Sequence, residues 1–209
     1  FFCWSIAILG LKHFKLRLQK RALLYEILPT DHDFVLSPDS ANDVIEQIHR
    51  TTDDPRRFVL FNRLLIALGN LKNLGRVADV DDMLRSQAEH EETSMETSYS
   101  LLRGFVWAIP VLGFIGTVIG LSQAVGGFGR VLGNASDISQ ISSSLKSVTA
   151  GLATAFETTL EALVAALIIQ LLITFLKKSE EEFLESCTDY CLRRVVSRLR
   201  IMPYERETA

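Results

Sequence analysis

Two glutamates, Glu157 and Glu161, stand one helical turn apart in an otherwise membrane-like stretch from Ser147 to Leu176. An ionised side chain in hydrocarbon costs roughly 2.5–3.5 kcal/mol on insertion scales, so such residues are rare and usually face a bundle interior or a water-filled path. A carboxyl group placed there suits the binding and release of a proton or another cation. On a helical wheel Ser147, Ala150, Gly151, Thr154, Thr158, Ala162 and Ala165 form a small, polar face with the two glutamates on its border. Thr159 points elsewhere, with Ala155 and Ala166. At ~1.5 Å of rise per residue, Glu157 to Thr159 lie ~15–18 Å from Ser147, near mid-membrane.

A second apolar stretch, Phe105 to Gly129, carries the other candidate group. Gly113, Gly116, Thr117, Gly120, Ala124 and Gly127 fall within about 100° of one another on its wheel, opposite Leu112, Phe114, Ile115, Val118, Ile119 and Leu121. Gly116 and Gly120 make the small-xxx-small spacing that lets membrane helices approach closely. The stripe fits either tight helix packing or the wall of a narrow path. Thr117, the hydroxyl in its middle, either bonds to a carbonyl of the preceding turn or lines that path.

Bulk composition bounds the elements around these two stretches. The chain has 209 residues, is 48% hydrophobic and has a net charge of −3, against the basic surface that nucleic-acid binding requires. The opening Phe1–Leu11 is apolar but shorter than the ~20 residues of a span. It reads as the end of a first transmembrane helix, with an interfacial helix or a signal-peptide core as alternatives. Lys12, Lys15, Arg17, Lys20 and Arg21 follow it, and Lys177 and Lys178 follow the last span, whereas the connection between the full spans offers only Arg130 and Lys146. By the positive-inside rule the N-terminus and that connection are outside and the C-terminus inside. The expected fold is therefore an all-α membrane protein with three transmembrane helices, the first truncated, and long helices extending into the cytoplasm. Its segments are residues 1–11, the end of the first span; 12–104, a cytoplasmic helical region; 105–129, the second span; 130–146, a short periplasmic loop; 147–176, the third span; and 177–209, a cytoplasmic helix and tail.

In the cytoplasmic region Pro29, Pro38 and Thr30–Asp33 mark a loop, Ser40 is placed to cap a helix through Arg50, and Asp54-Pro55 to start the next. That helix presents Phe58, Phe61, Leu64, Leu65 and Leu68 on one face, and Gly69 and Gly75 punctuate its end. From Asp79 an acidic helix is expected to enter the membrane without a break near Arg103. The stripe Phe183, Leu184, Cys187, Cys191, Val195 and Leu199 continues the last span as a helix that packs on a partner helix, with Pro203 ending it. His13, His32, His49 and His90 are scattered, Asp79–Asp82 lacks the spacing of a calcium loop, and Cys187 and Cys191 read as reduced thiols on an apolar stripe. No nucleophile–base pair, phosphate loop, metal spacing or cofactor motif appears, and the chain is not read as an enzyme.

The run Trp107-Ala108-Ile109-Pro110-Val111-Leu112-Gly113-Phe114-Ile115-Gly116-Thr117-Val118-Ile119-Gly120 resembles the second transmembrane helix of the MotA/TolQ/ExbB proton-channel family, and Gly151–Ala166 resembles its third. The resemblance spans about Trp107 to Leu176. It implies a homopentamer in the bacterial inner membrane around a dimer of a single-span partner of the ExbD/TolR/MotB kind. In that arrangement proton-motive force drives rotation and force is passed to an envelope process. It also implies that Thr117 and Thr159 are the pore threonines. The family's third-helix glutamate falls on Thr154, a departure that Glu157, three residues on, is placed to offset. A sodium-driven motor, an anti-phage-defence motor of the same superfamily and a non-conducting membrane scaffold are the alternatives.

Overall fold

The computed structural model describes residues 1–25, 27–28, 36–37, 40–71, 76–134 and 138–200, with only the backbone of 130–134 and 139–140. The α-helices are α1 (Phe2–Ala22), α2 (Ser40–Thr51), α3 (Val59–Gly69), α4 (Val77–Ser98), α5 (Ser100–Asn134) and α6 (Ile138–Arg194), with 3₁₀ turns at Pro55–Arg57 and Val196–Arg198. Among the described residues the one extended pairing is an isolated bridge between Leu36 and Leu199. The chain divides into two compact units, Phe1–Gly10 with Tyr99–Phe175 and Leu11–Ser98 with Leu176–Ala209.

The first unit is built on α5 and α6, and its pattern is that of a membrane helix pair. Large apolar side chains such as Phe114, Val118, Leu160, Leu163, Leu167 and Phe175 are exposed, while Ala155, Ala166, Ile169 and Ile173 are buried. The helical runs Val77–Gly129 and Ile141–Arg198 are each long and apolar enough to cross a membrane, and only 11% and 22% of their most apolar stretches are buried. A core helix of a water-soluble protein would be mostly buried there. Pro110 lies inside α5, where its missing N–H is tolerated in a membrane helix. Phe1 packs against Phe105 with ring centroids 5.1 Å apart, joining the start of α1 to the same unit.

Helix covers most of the stretch expected as a loop over 130–146, since α5 reaches Asn134 and α6 starts at Ile138. Ile138, Ile141 and Leu145 give that turn an i, i+3, i+7 spacing that its serine-rich composition hides. The acidic helix from the 70s is interrupted at Tyr99, one residue before α5, rather than running unbroken past Arg103.

The second unit buries polar groups as well as apolar ones. Ser37, not Ser40, closes the start of α2: its hydroxyl accepts the Ser40 N–H at 3.3 Å, and the Ser40 hydroxyl accepts the Ser37 N–H at 2.9 Å. The single helix expected from Asp54-Pro55 is instead a 3₁₀ turn followed by α3, with Phe58 extended between them. Gln19 of α1 holds that junction open. Its amide donates to the Arg57 carbonyl at 2.6 Å and accepts from the Val59 N–H at 2.9 Å, replacing helical bonds. The buried face of α3 is accordingly Leu60, Phe61, Arg63, Leu64, Ala67 and Leu68, rotated from the expected stripe to include an arginine.

Arg63 is 1% exposed. Its Nε and Nη2 lie 2.7 Å from Glu91 of α4, and Nη1 donates to the Thr188 hydroxyl of α6 at 2.8 Å. Gln87 donates to the other Glu91 oxygen at 3.1 Å. The stripe Phe183, Cys187, Cys191, Val195 and Leu199 is buried by this chain's own second unit. Lys12 with Glu180 at 3.3 Å, Lys20 with Ser179 at 2.8 Å and Lys177 with Glu96 at 2.8 Å join α1 and α4 to α6 within the same unit. The helix α6 stops at Arg194, ahead of Pro203, because the chain turns to pair with Leu36: Leu36 N–H donates to the Arg198 carbonyl at 2.9 Å and Arg200 N–H to the Leu36 carbonyl at 3.1 Å. Pro29, Pro38, Thr30–Asp33, Gly75 and Pro203 lie outside the described residues.

Burial pushes the Cys187 thiol up to about 12 and the Cys191 thiol up to about 11, from an ordinary 9.0, against a smaller opposing pull from Arg63. Both thiols therefore stay protonated in the fold at pH values where the unfolded chain ionises. Their stabilising contribution is complete below pH 9.0 and is lost as pH rises toward about 11–12, at up to about 1.4 kcal/mol per pH unit per thiol. Thermal unfolding of the detergent-purified protein is expected to show this fall, and Cys187→Ala with Cys191→Ala to flatten it; an unchanged slope in the double variant would assign the fall to other groups. Arg63→Met is expected to cost about 3–5 kcal/mol at pH 7, because it leaves the Glu91 carboxylate buried without its cation.

Candidate functional site

The site forms where α5 and α6 run close together in the first unit. Glycine sets the spacing. A Cβ at Gly113 would lie 2.6 Å from the Ala162 Cβ, one at Gly120 3.2 Å from the Ala155 Cβ, and one at Gly151 3.2 Å from the Ala124 Cβ. At Gly116 the nearest neighbour is the Thr158 hydroxyl at 3.6 Å. Gly127 meets nothing within 4 Å, so this stripe residue takes no part in the contact between the two helices among the described residues.

The close approach brings Thr117 and Thr159 together. Their hydroxyls are hydrogen-bonded to each other across the two helices. Thr159 also reaches the Gly113 carbonyl at 3.1 Å, and Thr117 reaches the Gly113 carbonyl at 3.1 Å and the Ala155 carbonyl at 3.2 Å. Of the two sequence readings of Thr117, the bond to the preceding turn is present, and the same hydroxyl also crosses to α6. Two hydroxyls carry two protons between them and face two carbonyl oxygens as well as each other. The pair can therefore exchange donor and acceptor roles by rotating two C–O bonds, with every proton still hydrogen-bonded.

A groove of about 380 Å³ adjoins this contact, lined by Gly116, Gly120, Gln123, Ala124, Ser147, Gly151, Thr154, Ala155 and Thr158. Thr154 lines it while donating to the Ala150 carbonyl of its own helix at 3.2 Å. Thr158 donates to the Ala155 carbonyl at 2.9 Å. Gln123 is the groove residue that the sequence reading did not single out. Its position two turns beyond Gly116, on the glycine-bearing face, was the available signal.

Glu157 and Glu161 lie on a different side of α6. Both are exposed and, among the described residues, neither makes a hydrogen bond or an ion pair. At 100° per residue Glu157 is about 160° around the helix from Ala155 and Thr159, which pack toward α5. The structure thus separates the sequence candidates into a hydroxyl pair on the α5-facing side, Thr154 on the groove, and two carboxyl groups facing away from this chain's own helix pair.

The family model described as the MotA/TolQ/ExbB proton channel family matches residues 59–188. No curated protein and no solved structure matches the chain. The matched residues contain α3, α4, α5 and nearly all of α6, including both threonines and both glutamates.

Gly113→Ala is expected to force the helices apart, because the opposing Ala162 Cβ is fixed to its backbone; overpacking of this kind costs about 1–3 kcal/mol. Combining it with Ala162→Gly should recover most of the loss, while Gly127→Ala should be neutral or stabilising by under about 1 kcal/mol. Thermal unfolding in detergent reads all three. Additive losses in the double variant would show that the two positions do not meet.

Proposed function

The chain belongs to the MotA/TolQ/ExbB proton channel family, and from that premise we propose that it is the channel-forming stator subunit of a proton-motive-force-driven rotary motor. In this reading five copies surround a dimer of a single-span partner in the bacterial inner membrane, and rotation passes force to an envelope process. The start of α1 serves as the end of a first span, with the N-terminus outside and both basic-flanked regions inside.

The observation that carries the proposal is the Thr117–Thr159 pair, held between two membrane-length helices with backbone carbonyls as its other partners. Such a pair gives a mid-membrane relay that binds a hydrated proton transiently and passes it on without a fixed charge. Glu157 and Glu161 add two carboxyl groups on a face left open to neighbouring copies or to the partner, and they supply the acidic function that the family places at the position of Thr154. The same oxygen donors also suit sodium, and this is the one alternative ion the site favours.

Native mass spectrometry of the detergent-purified complex, co-expressed with its partner, is expected to give five copies of this chain with two of the partner; a monomer or dimer without partner would exclude the motor and favour a packing scaffold. In proteoliposomes of that complex, Thr117→Ala and Thr159→Ala are each expected to lower proton flux at least about tenfold, the equivalent of one lost hydrogen bond in the barrier. Thr159→Ser should keep most of it. Glu157→Gln with Glu161→Gln should also lower flux, and flux that follows sodium rather than pH would assign the other ion.

A further inference from the structure

The second unit contains an open cavity of about 460 Å³ lined by α1, the Pro55–Arg57 turn, α3, α4 and α6. Its wall is rich in cations on a chain whose net charge is −3. The wall's two acids are already matched: Glu180 by Lys12 at 3.3 Å, and Glu91 by Arg63 at 2.7 Å. Arg57 is matched by Asp54 at 2.7 Å. Lys15 and Arg56, also on the wall, make no ion pair or hydrogen bond among the described residues, and His90 is a further member of the lining. The rest of the lining combines the apolar Leu16, Val59, Met95, Phe183 and Leu184 with the polar Gln19, Asn62, Gln87, Ser94 and Ser98. Unmatched cations over an apolar floor call for a ligand that is anionic at one end and greasy at the other.

The chain positions of these residues say where such a ligand comes from. Lys12 directly follows the apolar Phe1–Leu11, Lys15 comes one turn later, Glu180 comes four residues after Leu176, and Ser98 precedes Phe105 by seven. Each lies within about 10 Å of helical rise of an adjoining apolar segment. That is the depth of the headgroup layer, where anionic lipids of the cytoplasmic leaflet concentrate. We propose that this cavity binds the phosphate of an anionic phospholipid, with Lys15 and Arg56 as its cationic contacts and the apolar floor taking the start of an acyl chain. Free phosphate esters share the anionic chemistry but have nothing to place on that floor. The assignment does not depend on ion conduction, and its readout is separate from flux and from subunit stoichiometry.

The test is lipid retention by the whole detergent-purified protein, read by native mass spectrometry during titration with phosphatidylglycerol, phosphatidylcholine or glycerol phosphate. Phosphatidylglycerol is expected to be retained at least tenfold better than phosphatidylcholine, with no adduct from glycerol phosphate at the same concentration. Lys15→Gln with Arg56→Gln is expected to weaken phosphatidylglycerol retention about 20- to 30-fold, and either substitution alone about fivefold, from the strength of a cation at an anionic surface. Both side chains are exposed, and the single variants give the answer should the double variant not fold. Arg85→Gln, a charge removal on α4 outside the cavity, should leave retention unchanged. Equal retention of the two lipids, or equal losses in the Arg85 and the Lys15/Arg56 variants, would overturn the proposal. Binding of glycerol phosphate in place of lipid would reassign the cavity to a soluble ligand.

Discussion

The separation of α5 and α6 is set by missing side chains, and the chemistry of the first unit depends on it. Between helices in lipid there is little hydrophobic gain, so association draws on close packing and on hydrogen bonds across the contact. Gly113, Gly120 and Gly151 each face a partner atom within 3.2 Å of where a Cβ would sit. Only at that distance does the Thr117 hydroxyl reach the Ala155 carbonyl while Thr159 reaches the Gly113 carbonyl. The contact also fixes the rotation of α6. With Ala155, Thr159 and Ala166 turned toward α5, the period of the helix sends Glu157 and Glu161 outward.

The second unit solves a different problem. Its helices are short and half polar, and an apolar stripe on α6 would not by itself choose one arrangement of α1, α3 and α4. Arg63 makes the choice specific, since its Nε and Nη1 are both hydrogen-bonded only when Glu91 of α4 and Thr188 of α6 are in place. Gln19 does the same for α1 by filling two backbone groups that a continuous helix would have paired internally. Removing either partner leaves buried polar groups without hydrogen bonds, at a cost of about 1–3 kcal/mol for each neutral group.

What the sequence made legible follows from the range of the interaction involved. The two long apolar helices, the glycine stripe and the reduced cysteine stripe are periodic patterns, and each could be read one helix at a time. The pairing of Thr117 with Thr159 could not: it joins residues 42 positions apart, and the wheel of α6 alone only says that Thr159 shares a side with Ala155 and Ala166. The family resemblance marks each as a pore threonine without pairing the two. The break at Phe58 was hidden for the same reason, because Asp54-Pro55 is a sound local start for one helix and the amide that splits it comes from α1. Arg63 was missed because charge normally marks an exposed face, and its compensating groups lie on two other helices. The end of α6 at Arg194 was set by a backbone pairing with Leu36, which no side-chain pattern encodes.

The position of the two glutamates bears on whether one copy of this chain is a complete object in a bilayer. An ionised side chain facing hydrocarbon carries a penalty of roughly 2.5–3.5 kcal/mol, and ionising both Glu157 and Glu161 would incur it twice on one face of one helix. Nothing in the chain's own helix pair offsets it, because α5 occupies the opposite side of α6. The face around them mixes the small Ala150 and Ala165 with the large exposed side chains of Leu160, Val164 and Ile168. Enclosing the two carboxyl groups with water or a polar partner group would remove that penalty. The hydroxyl pair differs in this respect, because its hydrogen bonds are already satisfied between α5 and α6 of one copy.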